Sequence, residues 1–230
     1  MKRTAIGLVA LALVVACSSS NQASGNTDFD GVLAAGTESG TVSLTVATVV
    51  ASVAHPDLVV TPAVTLDVMA PAAATVTVSG TLKIKGHASI SLTGTFNVDS
   101  KALSVSGGGY SFTGSFASGR LSGTYTGPGG DGVFTAFPGG STAVKLYCGT
   151  LSGDADGVWN LASTGSSLRG AFSVTGGGGE LSGALSGSSV TLTFTGGTAT
   201  GTLSGSGMSG TWSTVSGDAG SWTGSTASCP

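Results

Sequence analysis

Charge is the first scarcity. Asp, Glu, Lys and Arg together make up 8% of the 230 residues, against roughly 25% in ordinary globular domains. Solvent-facing helices need such side chains, so a chain built mainly of helices is excluded. Histidine occurs twice. A Ser-His-Asp arrangement needs nucleophile, base and orienting acid in contact, and no G-x-S-x-G elbow opening into a helix is present. Aromatics reach only 6%, too few for the girdles of a membrane-spanning barrel, whose strands also run ~9 to 11 residues.

Glycine, by contrast, is abundant, at 40 of 230 residues, where ~7% is usual. Each costs a helical position about 1 kcal/mol, which leaves strands and tight turns. Hydrophobic residues account for 40% and recur at a fixed period, unlike the apolar-poor composition of disordered chains. The stretch VTVSGTLKIKGHASISLTGTFNV, from Val76 to Val98, alternates throughout. One face carries Val76, Val78, Leu82, Ile84, Ile90, Leu92, Phe96 and Val98; the other is mainly Thr and Ser. This is the period of a strand with one buried face.

The N-terminus reads differently. Lys2 and Arg3 precede AIGLVALALVVA, a signal-peptide core too short to span a bilayer comfortably. It ends in Val14-Val15-Ala16-Cys17, which resembles the lipobox of bacterial lipoproteins. The resemblance covers about twenty residues. It implies cleavage after residue 16 and lipidation of Cys17, and a serine such as Ser18 next to it implies outer-membrane sorting in Gram-negative members. The expected location is the cell envelope, at the outer membrane or cell surface. Without Lys2 and Arg3, six basic residues face eleven acidic ones, a formal charge of about −5. Such a surface repels phosphate backbones. The expected partners are the membrane, through the anchor, and an envelope polymer or protein, with no nucleic acid.

From about Gly40 onward the chain reads as short strands joined by small turns. Connections such as DSKA and ASGR suit antiparallel hairpins, since parallel crossovers need a dozen residues or more. The triplet LSG recurs at Leu121, Leu151, Leu181, Leu185 and Leu203 without a fixed period. Gly and Pro cluster in GPGGDGVFTAFPGGSTAVK and punctuate the chain there. The expected fold is all-β, with two tandem antiparallel meanders forming small sandwiches or up-and-down barrels; a single continuous sheet is the rival. The divisions are 1–16 signal peptide, 17–39 lipidated Cys and tether, 40–138 first β domain, 139–147 linker and 148–230 second β domain. Cys148 and Cys229 open and end that second half. A disulfide between them would staple the first strand to the last in an oxidising compartment. Mid-strand glycines at Gly170, Gly183, Gly201 and Gly210 suggest tightly coiled sheets and argue against a large lipocalin-like cavity.

Few residues offer chemistry. His55 precedes Pro56-Asp57 in an expected loop, and His87 lies on the polar side of the alternating stretch; a hydrolase using either is the alternative to a non-catalytic protein. Asp154 and Asp156, and more weakly Asp28 and Asp30, have the spacing that opens a calcium loop. An Asp-Gly turn explains GDADG without metal. The run Gly176–Gly179 lacks the following helix that a phosphate loop requires. No cofactor is expected. Trp159, Trp212 and Trp222 form a candidate ligand platform if exposed, able to stack on sugar rings; packing in the core or across strands explains them more simply. The reading at this point is a lipid-anchored, non-catalytic envelope protein with a structural or binding role.

Overall fold

A computed structural model describes residues 26–36, 38–47 and 75–230. The described residues form sixteen strands in two closed barrels of eight. The first barrel comprises β1 Thr27–Ala35, β2 Glu38–Val46, β3 Thr75–Ile84, β4 Ile90–Asn97, β5 Ala102–Gly107, β6 Tyr110–Ala117, β7 Arg120–Gly127 and β8 Gly130–Pro138. The second comprises β9 Lys145–Gly153, β10 Gly157–Thr164, β11 Ser167–Val174, β12 Gly177–Ser186, β13 Ser189–Phe194, β14 Gly197–Ser204, β15 Gly207–Thr214 and β16 Ala219–Ser225. Every pairing is antiparallel, and within each barrel each strand neighbours the next. The two barrels are up-and-down meanders, and the single-sheet alternative falls.

Closure brings first and last strands together. In the first barrel β1 pairs with β8, Leu33 opposite Phe134. In the second β16 pairs with β9, Trp222 opposite Leu151 and Ser225 opposite Cys148. A 3-10 turn, Thr226–Ser228, then brings Cys229 to Cys148. Their bond spans 81 residues with a Cα separation of 4.9 Å. In a meander of even strand number the start of the first strand and the finish of the last share one end, so this bond costs no rearrangement.

The alternating segment behaves as its period requires. Val76, Val78, Leu82, Ile84 and Leu92 are buried in the first barrel, with Ile90, Phe96 and Val98 packed against them. Phe112 stacks on Tyr125 at 5.4 Å and meets Phe134 edge-on at the same separation, so rings fill the middle. Outward positions carry hydroxyls that pair across strands, as Ser182 with Thr193 at 2.9 Å. Among the described residues Val215 is the sole large hydrophobic side chain left exposed. This wall has no apolar band of the kind a spanning barrel turns to lipid.

Two expected boundaries are corrected. The tether assigned to 17–39 contains β1 and the start of β2, because Phe29, Leu33 and Ala35 face the core and β1 must close against β8. The linker assigned to 139–147 is shorter: a single helical turn, Gly140–Ala143, leads directly into β9 at Lys145. The second barrel therefore begins three residues before Cys148. The lipobox, Cys17 and His55 lie outside the described residues.

The barrels lie side by side. Val32, Phe137, Val144 and Ala162 form a small buried cluster between their outer walls, with Leu146 against it. At its edge Asn160, fully buried, accepts a hydrogen bond from Ser39 Oγ at 2.8 Å and donates through Nδ2 to the Leu33 carbonyl. One side chain of the second barrel thus satisfies two groups of the first.

Candidate functional site

In the second barrel, inward residues of successive strands divide by height. Tyr147, Leu161, Leu168, Val190 and Met208 belong to the end that carries the disulfide, and all are buried. Burial holds the Tyr147 phenol above its usual range. Toward the other end the inward positions line a cavity of about 310 Å³. Its wall includes Trp159 from β10, Phe172 from β11, Phe194 from β13, and Trp212 and Trp222 from β15 and β16. Eight strands close around an interior just wide enough for side chains or for one small ligand, and this barrel has a filled half and a hollow half, one above the other.

The three tryptophans are therefore not a surface platform. They are 2%, 9% and 5% exposed for Trp159, Trp212 and Trp222; strand alternation places each on the inner face. Trp159 and Trp222 meet edge to face with centroids 5.2 Å apart. Each indole N–H is already engaged by a strand carbonyl: Trp159 donates to Thr150 O at 3.1 Å, Trp212 to Ser152 O at 3.3 Å and Trp222 to Thr211 O at 3.2 Å. With the polar atom turned into the wall, carbon surface remains as the lining.

Glycine makes room for these rings. A Cβ on Gly149 or on Gly224 would lie 2.6 Å from Trp159 Cζ2, one on Gly201 2.5 Å from Trp222 Cζ2, and one on Gly220 2.6 Å from Trp212 Nε1. The expectation that mid-strand glycines leave little space inside is corrected in part. They give up side-chain volume, the indoles take it, and a modest cavity remains between the rings.

The open end is formed by the turns after β9, β11, β13 and β15, whose flanking residues Asp154, Val174, Phe194, Thr214 and Asp218 line the cavity. The rim is tied together. Val215 N donates to Gly196 O at 2.8 Å and Asp154 N to Ala219 O at 3.0 Å. Asp154 Oδ2 accepts from Ala219 N at 2.8 Å. Asp218 Oδ2 accepts from Ser216 Oγ at 2.8 Å and from Thr214 Oγ1 at 3.2 Å. The β15–β16 turn is thereby fixed to both neighbouring turns, and the mouth is preformed.

The other sequence candidates lie elsewhere. Asp154 and Asp156 occupy the turn between β9 and β10, and both are exposed. Among the described residues no three of His, Cys, Asp and Glu converge on a metal-sized site. Asp28 and Asp30 are in strand β1, not a loop, where they accept from the hydroxyls of Thr45 and Ser43. His87 is exposed in the turn after β3, its N–H donating to the Ile84 carbonyl. Phe172 and Phe194, whose rings lie 5.1 Å apart, and Asp218 were not singled out from the sequence. Alternation placed both phenylalanines on inner faces, but nothing in sequence spacing ranked these inner faces above those of the first barrel. Comparison with protein-family models, with curated proteins and with solved structures finds no match.

Proposed function

We propose that this chain is a lipid-anchored, non-catalytic protein of the cell envelope whose second barrel binds a small, largely apolar ligand. The anchor rests on the lipobox-like run ending at Cys17, with an outer-membrane or cell-surface location following from Ser18. The binding role rests on one observation, the preformed cavity of about 310 Å³ walled by three tryptophans and two phenylalanines. An apolar cavity of roughly 150 Å³ takes benzene, so this one has room for about two fused rings or a short branched chain. The first barrel, filled by its own rings, serves as a spacer and as the platform against which β10 is fixed.

The test uses the full mature chain and its own tryptophans as reporters. Naphthalene added to the protein quenches or shifts the indole emission with saturation and one-to-one stoichiometry. Ala199 lines the cavity opposite Trp212, and Ala199→Leu fills it; binding falls at least tenfold while the circular dichroism spectrum is retained. A linear, unsaturable response from the native protein would rule out a binding cavity. Lipidation is checked separately: labelled palmitate enters the native precursor and not Cys17→Ser.

A further inference from the structure

We infer that the second barrel's cavity takes a small organic cation, an alkyl- or arylammonium compound whose apolar body enters among the indoles while its charge stays at the rim. The inference rests on the binding role proposed above and adds the charge of the ligand.

Formal charges in the second barrel are sorted by end. Its acidic residues are Asp154, Asp156, Glu180 and Asp218. Asp154 and Asp156 belong to one rim turn, Asp218 to the adjacent one, and Glu180 to the mouth-side half of β12. Asp154 and Asp218 contribute directly to the cavity lining. The basic residues from 145 to 230 are Lys145 and Arg169, at the starts of β9 and β11, and both strands start at the disulfide end. Two lysines of the first barrel lie toward the same end: Lys85 shares a groove with Cys148, and Lys83 one with Cys229. Among the described residues no lysine or arginine lines the cavity.

A mouth of one sign over low-dielectric walls concentrates ligands of the opposite sign. Indole rings add attraction for a cation near their faces, and their N–H groups are turned away into backbone bonds. A carboxylate or phosphate ligand would meet two carboxylates on entry and find no basic partner inside. Each rim carboxylate has one oxygen engaged in holding the rim and a second outside those bonds.

The experiment compares three ligands of one shape: 2-phenylethylammonium, 2-phenylethanol and 3-phenylpropanoate, titrated into the full mature chain at low ionic strength. The ammonium binds tightest, about tenfold better than the propanoate, with the alcohol between. Added salt compresses the series, because exposed carboxylates are screened. The double variant Asp154→Asn, Asp218→Asn keeps the acceptor oxygens that brace the rim; in it the ammonium loses its advantage over the alcohol and the propanoate. If the alcohol or the propanoate binds native protein as well as the ammonium does, the cation assignment is overturned while the cavity stands. An ammonium preference that survives unchanged in the double variant also overturns it. If none of the three saturates and naphthalene fails as well, the cavity reading falls, and this inference with it.

Discussion

Tyr125 shows how a residue can be well packed and still carry a cost. Its ring stacks on Phe112 at the centre of the first barrel and is 1% exposed, yet its hydroxyl is buried without a hydrogen-bond partner. A buried unsatisfied polar group costs about 1–3 kcal/mol. Burial, with the charges of Glu38 and Asp131 nearby, holds its pKa well above the usual tyrosine value. The unfolded chain releases this proton near pH 10, whereas the folded barrel retains it. Above about pH 10 the folded state therefore binds more protons than the unfolded, and stability falls as pH rises, by up to about 1.4 kcal/mol per pH unit for each such phenol. Tyr110, hydrogen-bonded to Glu38 at 3.1 Å, and Tyr147 are shifted in the same direction. Tyr125→Phe keeps the ring and removes the orphan. It should stabilise the protein by about 1 kcal/mol at pH 7 and flatten the alkaline loss, as read from guanidinium unfolding between pH 7 and 11. Equal slopes in the two proteins would show that Tyr125 ionises as freely when folded as when unfolded.

At the scale of elements, strand faces were legible because period-two alternation depends only on neighbours in the chain. Val76 through Val98 gave their core positions directly, and the short turns gave antiparallel order. Closure was legible only where a covalent cue existed, at Cys148 and Cys229. The first barrel closes through Leu33 opposite Phe134, a pairing between distant segments that local pattern cannot rank, which is why the sequence alone reads β1 as tether. The cavity was hidden for a related reason. Gly201 weakens its own strand, but a Cβ there would lie 2.2 Å from the Ser209 carbonyl oxygen and 2.5 Å from Trp222 Cζ2, so the glycine serves both the close approach of the neighbouring strand and the seating of a ring from a strand two places away. Gly201→Ala should destabilise the second barrel by about 1–3 kcal/mol, the usual cost of overpacking, and move Trp222, seen as a changed emission maximum. Gly177, also in a strand, has open space where a Cβ would go, and Gly177→Ala should alter stability by less than about 0.5 kcal/mol. Comparable losses in both variants would mean that backbone freedom is what these glycines supply, and a loss at Gly201 with no change in emission would assign it to the Ser209 carbonyl and not to the ring.

At the scale of the whole molecule, two constraints act on the second barrel from different sides. The disulfide closes β9 onto the chain's last residues, and over 81 residues the chain-entropy model gives about 4.5 kcal/mol as an upper figure. The seam of Val32, Phe137, Val144 and Ala162, with Asn160 bonded to Ser39 and Leu33, fixes β10 to the first barrel. All three tryptophans lie in the second barrel, and of the three tyrosines Tyr110 and Tyr125 lie in the first and Tyr147 in the second, so indole emission follows the second barrel, and tyrosine absorbance in a Tyr147→Phe background follows the first. In the oxidised protein the two signals should change together, because losing either barrel exposes the seam. Reduction should lower the indole transition by at least 10 °C, given that 1 kcal/mol moves a domain of this size by roughly 4–8 °C. The tyrosine transition should fall less, splitting one melt into two. Asn160→Ala should widen that split in the reduced protein, since it removes both polar ties across the seam and leaves the strand pairings of each barrel in place. Transitions that stay coincident after reduction would assign the dominant constraint to the seam and make the bond a local clamp on Cys229; transitions already separate in the oxidised protein would mean that the barrels are mechanically independent despite their contact.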